Sequence, residues 1–221
     1  MQVALLGGTG DIGEGLALRW ARDSDHGVII GSRKAGKART KADEYESELA
    51  DRGVHAAIRG HENPEAAARG DVVVLSVPAY YLSDTVDAVA GDLGDAILVS
   101  PAVGMQRDDA GLHYNPPGVG SVTELAARAA PDGVPVVGAF HNLAAGRLAD
   151  LDADLDWDVP VVGGDPDAAA TVRGLAEDID GLRALDAGPL ANASEAESLT
   201  PLLINIASNN EGIHDLGVKF W

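Results

Sequence analysis

Short apolar runs alternate with longer amphipathic segments along most of the chain. The apolar runs are flanked by turn residues, which is typical of strands buried on both faces of a parallel sheet. They predict strands at residues 3–6, 28–30, 72–77, 96–99, 134–137, 159–162 and 182–185. Apolar positions at helical spacing predict helices at residues 12–22, 37–51, 83–90, 121–129 and 165–179. The alternation predicts an α/β fold of the Rossmann type, with a doubly wound, mostly parallel sheet.

The pattern changes at the carboxyl end of the chain. Gly188 and Pro189 interrupt the alternation, and residues 194–208 have apolar positions at helical spacing. Ser194 and Glu197 have the spacing of a capping box and predict the start of this helix. We therefore expect one large domain over residues 1–187 and a small helical lobe over residues 188–221, packed against the strand ends. Residues 104–120 lack a periodic pattern and are interpreted as a mobile loop over the site.

A glycine-rich motif follows the first predicted strand directly. It has the form G-x-G-x-x-G and consists of Gly8, Thr9, Gly10, Asp11, Ile12 and Gly13. The glycines permit a tight turn, a close approach of a pyrophosphate to the backbone, and close packing of helix on strand. Free N–H groups at the helix N-terminus then hold the anion. A strand, this motif and a helix in succession predict a dinucleotide site.

The end of the second predicted strand indicates which dinucleotide is bound. An NAD site has Asp or Glu near this point to bind the ribose hydroxyls, whereas this chain has Gly31, Ser32, Arg33 and Lys34, followed by Lys37. A carboxylate here would repel an additional phosphate, and these cations would attract it. The sequence therefore predicts NADP.

The charge of the chain excludes some classes of function. Its 221 residues include 16 Lys and Arg against 35 Asp and Glu, which gives a formal net charge of −19. Nucleic-acid sites and anionic membrane surfaces require clustered cations, so neither is expected as the main partner. The absence of cysteine removes thiolate chemistry, and no metal site is expected. No apolar run reaches the roughly 20 residues that span a bilayer, so we expect a cytoplasmic protein. The Asp-rich, Lys-poor composition resembles that of halophilic archaeal proteins.

Few residues are candidates for proton transfer. Between Lys41 and Lys219 the chain has no lysine, so its tyrosines lack a nearby lysine partner. Among the histidines only His141 follows a strand at the end where open α/β sheets bind ligands, and a role as an ordinary core residue is an equal alternative there. Hydride exchange between two redox coenzymes needs no such acid or base, which permits this class without selecting it.

Several segments together resemble the archaeal reduced-coenzyme-F420:NADP oxidoreductases, also called NADPH-dependent F420 reductases. The resemblance extends over nearly the whole chain and is carried by VALLGGTGDIGEGLALR at 3–19, GSRKAGKA at 31–38, DGLRALDAGPLANA at 180–193, ESLTPLLIN at 197–205 and the final LGVKFW. It implies a Rossmann domain that binds NADP, a small lobe that helps to enclose the deazaflavin coenzyme F420, reversible hydride transfer between the two coenzymes, and a homodimer.

The resemblance also implies roles for individual residues. The 2′-phosphate of NADP would be held by Thr9, Ser32, Arg33 and Lys37. The nicotinamide ribose would be bordered by Val77, Pro78 and Ala79. His141 and Leu143 would lie where the two rings stack, and Ser198 and Thr200 would reach the deazaflavin. Relatives have roughly HTIPA where this chain has HNLAA at 141–145, which alters the shape of the apolar wall at Leu143.

Two other functions remain open from the sequence. One is an NADP-dependent reductase of a small carbonyl or imine, which would need His141 or a tyrosine as proton donor. The other is an NADP-binding sensor without catalysis. Arg147 and Arg183 either pair with an anionic coenzyme tail or form ion pairs with neighbouring Asp residues.

Overall fold

The computed structural model describes all 221 residues and contains two sheets. The strands are β1 (Gln2–Leu6), β2 (Gly27–Ser32), β3 (Ile58–Glu62), β4 (Val72–Leu75), β5 (Ile97–Ser100), β6 (Met105–Asp108), β7 (Gly111–Tyr114), β8 (Val136–Gly138), β9 (Trp157–Gly163) and β10 (Leu182–Asp186). Eight of them form one sheet in the order β10-β9-β8-β5-β4-β1-β2-β3. Within it only β8 and β9 pair antiparallel. Strands β6 and β7 form a separate hairpin.

Helices connect the strands and cover both faces of the large sheet. They are α1 (Asp11–Asp23), α2 (Ala35–Asp51), α3 (Asn63–Ala67), α4 (Leu82–Val89), α5 (Val122–Ala129), α6 (Ala145–Ala149), α7 (Pro166–Glu177) and α8 (Ala193–Asn209). No helix combines the length and the apolar character that crossing a membrane would require.

The core consists of two apolar layers, one on each face of the sheet. Strand β1 contributes to both, because Val3 and Leu5 face one layer while Ala4 and Leu6 face the other. This explains why the strands are continuous apolar runs rather than alternating ones. The α/β fold with a mostly parallel sheet is thus confirmed, together with all seven predicted strands and all six predicted helices, apart from small differences in their ends.

The sheet order brings the candidate residues to one edge. Strands β1, β2, β4, β5 and β8 are mutually parallel, so their carboxyl ends lie side by side. The connections turn in opposite directions on either side of β1 and β4, which leaves a crevice between the ends of these two strands. The glycine-rich turn follows β1 and Ser76 follows β4, so both border this crevice.

Residues 104–120 are not irregular as expected, because this stretch contains the β6–β7 hairpin. All four residues of β6 are exposed, so the segment has no apolar pattern that would predict a strand. Asn205 of α8 holds the hairpin in place. Its Oδ1 accepts a hydrogen bond from the Leu112 N–H at 3.0 Å, and its Nδ2 donates to the Leu112 carbonyl at 2.6 Å.

The predicted capping box at the start of α8 is also wrong. The helix begins one residue earlier, at Ala193, with Asn192 as its N-cap. The Ser194 hydroxyl donates to the carboxylate of Glu195 instead of capping the helix. Glu197 is fully buried and binds the N-terminus of a different helix, α5. The division of the chain into domains at residue 187 stays a prediction.

A buried arginine on α1 fixes the segment around α6. The Arg19 guanidinium donates to the carbonyl oxygens of Leu148 at 2.9 Å, Asp150 at 2.6 Å and Ala153 at 2.9 Å. We expect Arg19→Met to lower the free energy of unfolding by about 3–5 kcal/mol, because it leaves several buried carbonyls without a donor. Urea denaturation is the measurement. Arg173→Met, which removes a surface ion pair, is the control and should cost at most about 1 kcal/mol. Equal losses in the two variants would contradict the role given to Arg19.

A buried carboxylate anchors the carboxyl-terminal tail. Asp158 on β9 accepts hydrogen bonds from the Arg183 guanidinium and from the Phe220 N–H, and its own N–H donates to the Val218 carbonyl. The Arg183 guanidinium lowers the pKa of Asp158 from its ordinary value of 3.8 to about 2. Arg183 therefore has an Asp partner in this structure.

This pKa predicts how the tail anchor depends on pH. A carboxyl group whose pKa is lower in the folded state stabilises the fold above pH ~4, and this contribution is lost as the pH falls towards 2. We expect Asp158→Asn to be less stable than the wild type at pH 7, with a difference that shrinks between pH ~4 and ~2. Urea midpoints measured over this range give the result. A difference that does not change with pH would contradict the prediction.

Candidate functional site

The glycine-rich turn after β1 has no room for a side chain at Gly7, Gly8 or Gly13. Gly7 has a φ of +83°, and a Cβ there would lie 2.5 Å from the Ser76 carbonyl oxygen. A Cβ on Gly13 would lie 2.6 Å from the Cα of Gly8. The turn leads directly into α1, whose N-cap is Gly10. Its geometry thus fits the close approach of a pyrophosphate to the helix N-terminus.

A tyrosine that the sequence analysis did not identify supports this turn. The Tyr45 hydroxyl, on α2, donates a hydrogen bond of 3.0 Å to the Gly8 carbonyl. Tyr45 is buried, and burial raises the pKa of its hydroxyl. Its place on the apolar face of α2 predicts burial, but only the fold shows what the hydroxyl contacts.

The cations predicted to select NADP lie at the end of β2, beside the turn. The Gly7 N–H donates to the Gly31 carbonyl at 3.0 Å, which joins the two segments. Ser32 is buried at the strand end, whereas Arg33 and Lys37 are exposed. The Arg33 guanidinium lies over the ring of Tyr81, 5.6 Å from its centre. Tyr81 follows β4, and no pattern in the sequence predicts its contact with Arg33.

A cavity of about 510 Å³ continues from the turn along the carboxyl ends of β4 and β5. It is mostly apolar. Its lining includes Gly10, Asp11 and Ile12 of the turn and the predicted Val77, Pro78 and Ala79. Five further positions were not predicted, namely Pro101–Val103, Met105 and Ala145. Thr9 is half-buried in the turn. The turn, the strand ends and the hairpin thus enclose one continuous space.

His141 and Leu143 are both buried. Their side chains are 5% and 7% exposed, and neither is among the residues that line the cavity. Phe140, just before them, has a φ of 67°. Burial lowers the pKa of His141 to about 4, so its imidazole is neutral at pH 7.

The predicted residues of α8 have different surroundings. The Thr200 hydroxyl donates to the His141 carbonyl at 2.6 Å, so the structure brings these two residues together. The Ser198 hydroxyl donates to the Glu195 carbonyl within its own helix. Arg147, which follows Leu143 along the chain, lines a separate cleft of about 350 Å³ beneath the tail, with Asp154, Trp157 and Lys219.

Comparison with known proteins identifies similar chains. Residues 2–104 match the family model described as NADP oxidoreductase, coenzyme F420-dependent. The chain is 41% identical to the F420-dependent NADP reductase of Methanocaldococcus jannaschii, over 93% of this chain and 92% of that protein. It is 39% identical to the F420-dependent NADP reductase of Methanothermobacter thermautotrophicus, over 99% of this chain and 94% of that protein. A crystal structure assigned as an F420-dependent NADP reductase of Arthrobacter sp. FB24 has a TM-score of 0.81 at 25% identity, and covers 100% of this chain and 99% of its own.

Proposed function

The chain belongs to the F420-dependent NADP reductases, and on this premise we propose that the cavity between the glycine-rich turn and Ala145 is where its two coenzymes meet. The protein is an oxidoreductase, and its coenzymes are NADP and F420. When both are bound, they supply the chemistry, which is transfer of a hydride between the deazaflavin and nicotinamide rings. The residues of the chain bind the coenzymes, orient them and exclude water.

The NADP assignment rests on one observation. The glycine-rich turn is hydrogen-bonded to the end of β2 and lies beside it. Backbone without side chains, as at Gly8, Gly10 and Gly13, receives the pyrophosphate at the N-terminus of α1. Ser32, Arg33 and Lys37 then lie at the distance along the chain where the 2′-phosphate is bound in such folds. Thr9 contributes its hydroxyl from the turn. Tyr81 holds the Arg33 guanidinium by cation–π contact, which orients it for the phosphate.

The apolar part of the cavity suits the nicotinamide and deazaflavin rings. Val77, Pro78 and Ala79 line it after β4, and Pro101–Val103 and Met105 line it after β5. We assign His141 and Leu143 to the layer behind this space, where they support its shape. The Thr200 hydroxyl holds the backbone at His141. On the same helix, α8, we assign Ser198 to contact with the deazaflavin.

The state of His141 favours hydride exchange over reduction of a carbonyl or imine. A carbonyl reductase needs a proton donor beside the substrate, and the most suitable pKa of such a group lies near the working pH. With a pKa of about 4, the His141 ring is neutral at pH 7, so it is not an imidazolium that could donate a proton. Exchange of a hydride between two coenzyme rings has no such requirement.

We also propose that the protein is a homodimer that uses the exposed face of α8. Leu202 and Ile206 lie one turn apart on this helix, 54% and 39% exposed, and the exposed Phe220 and Trp221 end the chain. Apolar surface of this kind marks contact sites in soluble proteins. Leu202→Asp should halve the mass found by sedimentation equilibrium, and a wild-type monomer at micromolar concentration would refute the proposal. The cytoplasmic location stays a prediction.

The experiment that tests the function is mixing of the protein with oxidised F420 and NADPH in molar salt. Loss of the oxidised deazaflavin absorbance is the expected result, and the loss should be much slower with NADH. A screen of small carbonyl and imine acceptors is run in parallel. If NADPH binds but only a carbonyl or imine is reduced, the proposal fails in favour of the reductase alternative. If nothing is reduced, the remaining function is that of a sensor.

A further inference from the structure

A fully buried carboxylate of α8 is not part of the cavity described above. Glu197 is 0% exposed and accepts four hydrogen bonds from groups outside its own helix. These come from the backbone N–H groups of Val122 and Thr123, at 3.1 and 2.9 Å, and from the hydroxyls of Thr123 and Tyr114, at 2.9 and 3.0 Å. The carboxylate thus joins the hairpin, the N-terminus of α5 and α8.

The four donors favour the ionised state of Glu197. An ionised carboxylate has about four lone-pair directions, and each of its oxygens here receives two donors. The two backbone N–H groups can only donate, and the ionised form lets both hydroxyls donate as well. Burial raises the pKa of Glu197, and the four hydrogen bonds and the helix N-terminus oppose this effect.

An ionised Glu197 determines which group donates in the hydrogen bond between Thr123 and His141. The Thr123 hydroxyl has a single proton, which it donates to Glu197 because the carboxylate only accepts. Its oxygen is 3.3 Å from Nε2 of His141 and can therefore only accept there. Since the imidazole is neutral, a proton on Nε2 leaves Nδ1 without one. The Nδ1 atom is buried and has no hydrogen-bond partner in the structure.

We propose that Glu197 is a positioning residue that acts through Thr123 to hold His141 as the Nε2–H tautomer. Nδ1 is then an unprotonated acceptor within the layer behind the cavity. This tautomer does not depend on the proposed function. The competing state has the proton on Nδ1, directed towards the Ser100 carbonyl, which lies close enough to the ring to raise the pKa of His141 against the larger effect of burial.

The tautomer is measured by long-range ¹H–¹⁵N correlation of ¹⁵N-histidine-labelled protein at pH 7, without coenzymes. His141 is one of six histidines and is assigned by loss of its signals in His141→Gln. The wild type should give a pyrrole-type nitrogen at Nε2 and a pyridine-type nitrogen at Nδ1. A protonated Nδ1 would overturn the proposal. Because no coenzyme is present, this result is independent of whether the protein transfers hydride.

Variants separate the tautomer effect from general damage to the fold. Thr123→Val keeps the shape but removes the hydroxyl, so the Nδ1 signal should move towards the protonated type. Thr123→Ser should restore the wild-type pattern. Tyr114→Phe, which removes a donor to Glu197 without touching Thr123, should leave the pattern unchanged.

Glu197→Gln tests the carboxylate itself, because loss of its charge releases the Thr123 hydroxyl. The His141 signals should shift towards a mixture of tautomers. A wild-type pattern in folded Glu197→Gln or in Thr123→Val would overturn the proposal. Should Glu197→Gln fail to fold, the comparison of Thr123→Val with Thr123→Ser decides it.

Discussion

Replacement of Arg33 by alanine should lower kcat/KM for NADPH by about 10- to 100-fold while kcat/KM for NADH stays nearly constant. A hydrogen bond to a charged group contributes about 1.5–3 kcal/mol, and each 1.4 kcal/mol is a factor of ten. NADH has no 2′-phosphate, so it does not lose this interaction. The variant should therefore lose most of its preference between the two nucleotides.

The control for this prediction removes the same charge elsewhere. Arg128 is exposed on α5, far along the chain from the nucleotide site, and Arg128→Ala makes the same change to the net charge. It should leave both rates unchanged when all assays are run at one salt concentration, since salt screens exposed charges. An equal loss with NADPH and NADH in Arg33→Ala would show that Arg33 does not bind the 2′-phosphate.

Gly13→Ala should reduce kcat/KM for NADPH by about 100-fold and destabilise the protein by about 1–3 kcal/mol. Its Cβ would lie 2.6 Å from the Gly8 Cα and 3.1 Å from the Gly7 carbonyl oxygen. Both atoms belong to the backbone, so the turn itself must move away from α1. This movement displaces the groups that receive the pyrophosphate.

A glycine without close neighbours provides the matched control. Gly174 lies within α7, and a Cβ there would have no atom within 4 Å. Gly174→Ala should leave the kinetics unchanged and stabilise the protein by roughly 0.5–1 kcal/mol, because alanine loses less backbone entropy in a helix. Wild-type kinetics in Gly13→Ala would contradict the role of the turn.

The sequence predicted those parts of the fold whose signal is local and strong. Strands buried on both faces are apolar without interruption. The glycine-rich turn is recognisable because side chains do not fit at Gly7, Gly8 and Gly13. Strand β3 was missed, because it lies at the edge of the sheet and only Ile58 and Gly60 are buried in it. The hairpin was missed because its order comes from Asn205, more than 90 residues away in the chain.

The same distinction applies to the candidate site. Residues at strand ends, such as Ser32 and Val77, could be placed from the sequence because parallel strands end at one edge. Tyr45, Tyr81 and Ala145 reach the site only through packing between distant segments. Glu197 shows the limit most clearly, since its spacing from Ser194 is that of a capping box and yet it binds the N-terminus of α5. A local pattern does not tell which helix a carboxylate caps.

The central claim is that the protein brings its two coenzymes together so that a hydride passes directly between them. NADPH carrying deuterium at the transferred position of nicotinamide C4, mixed with oxidised F420 in ordinary water, tests this most directly. Direct transfer places one deuterium per turnover at C5 of the reduced deazaflavin, as measured by mass spectrometry and NMR. Reduced deazaflavin that carries only solvent hydrogen at C5 would contradict direct transfer.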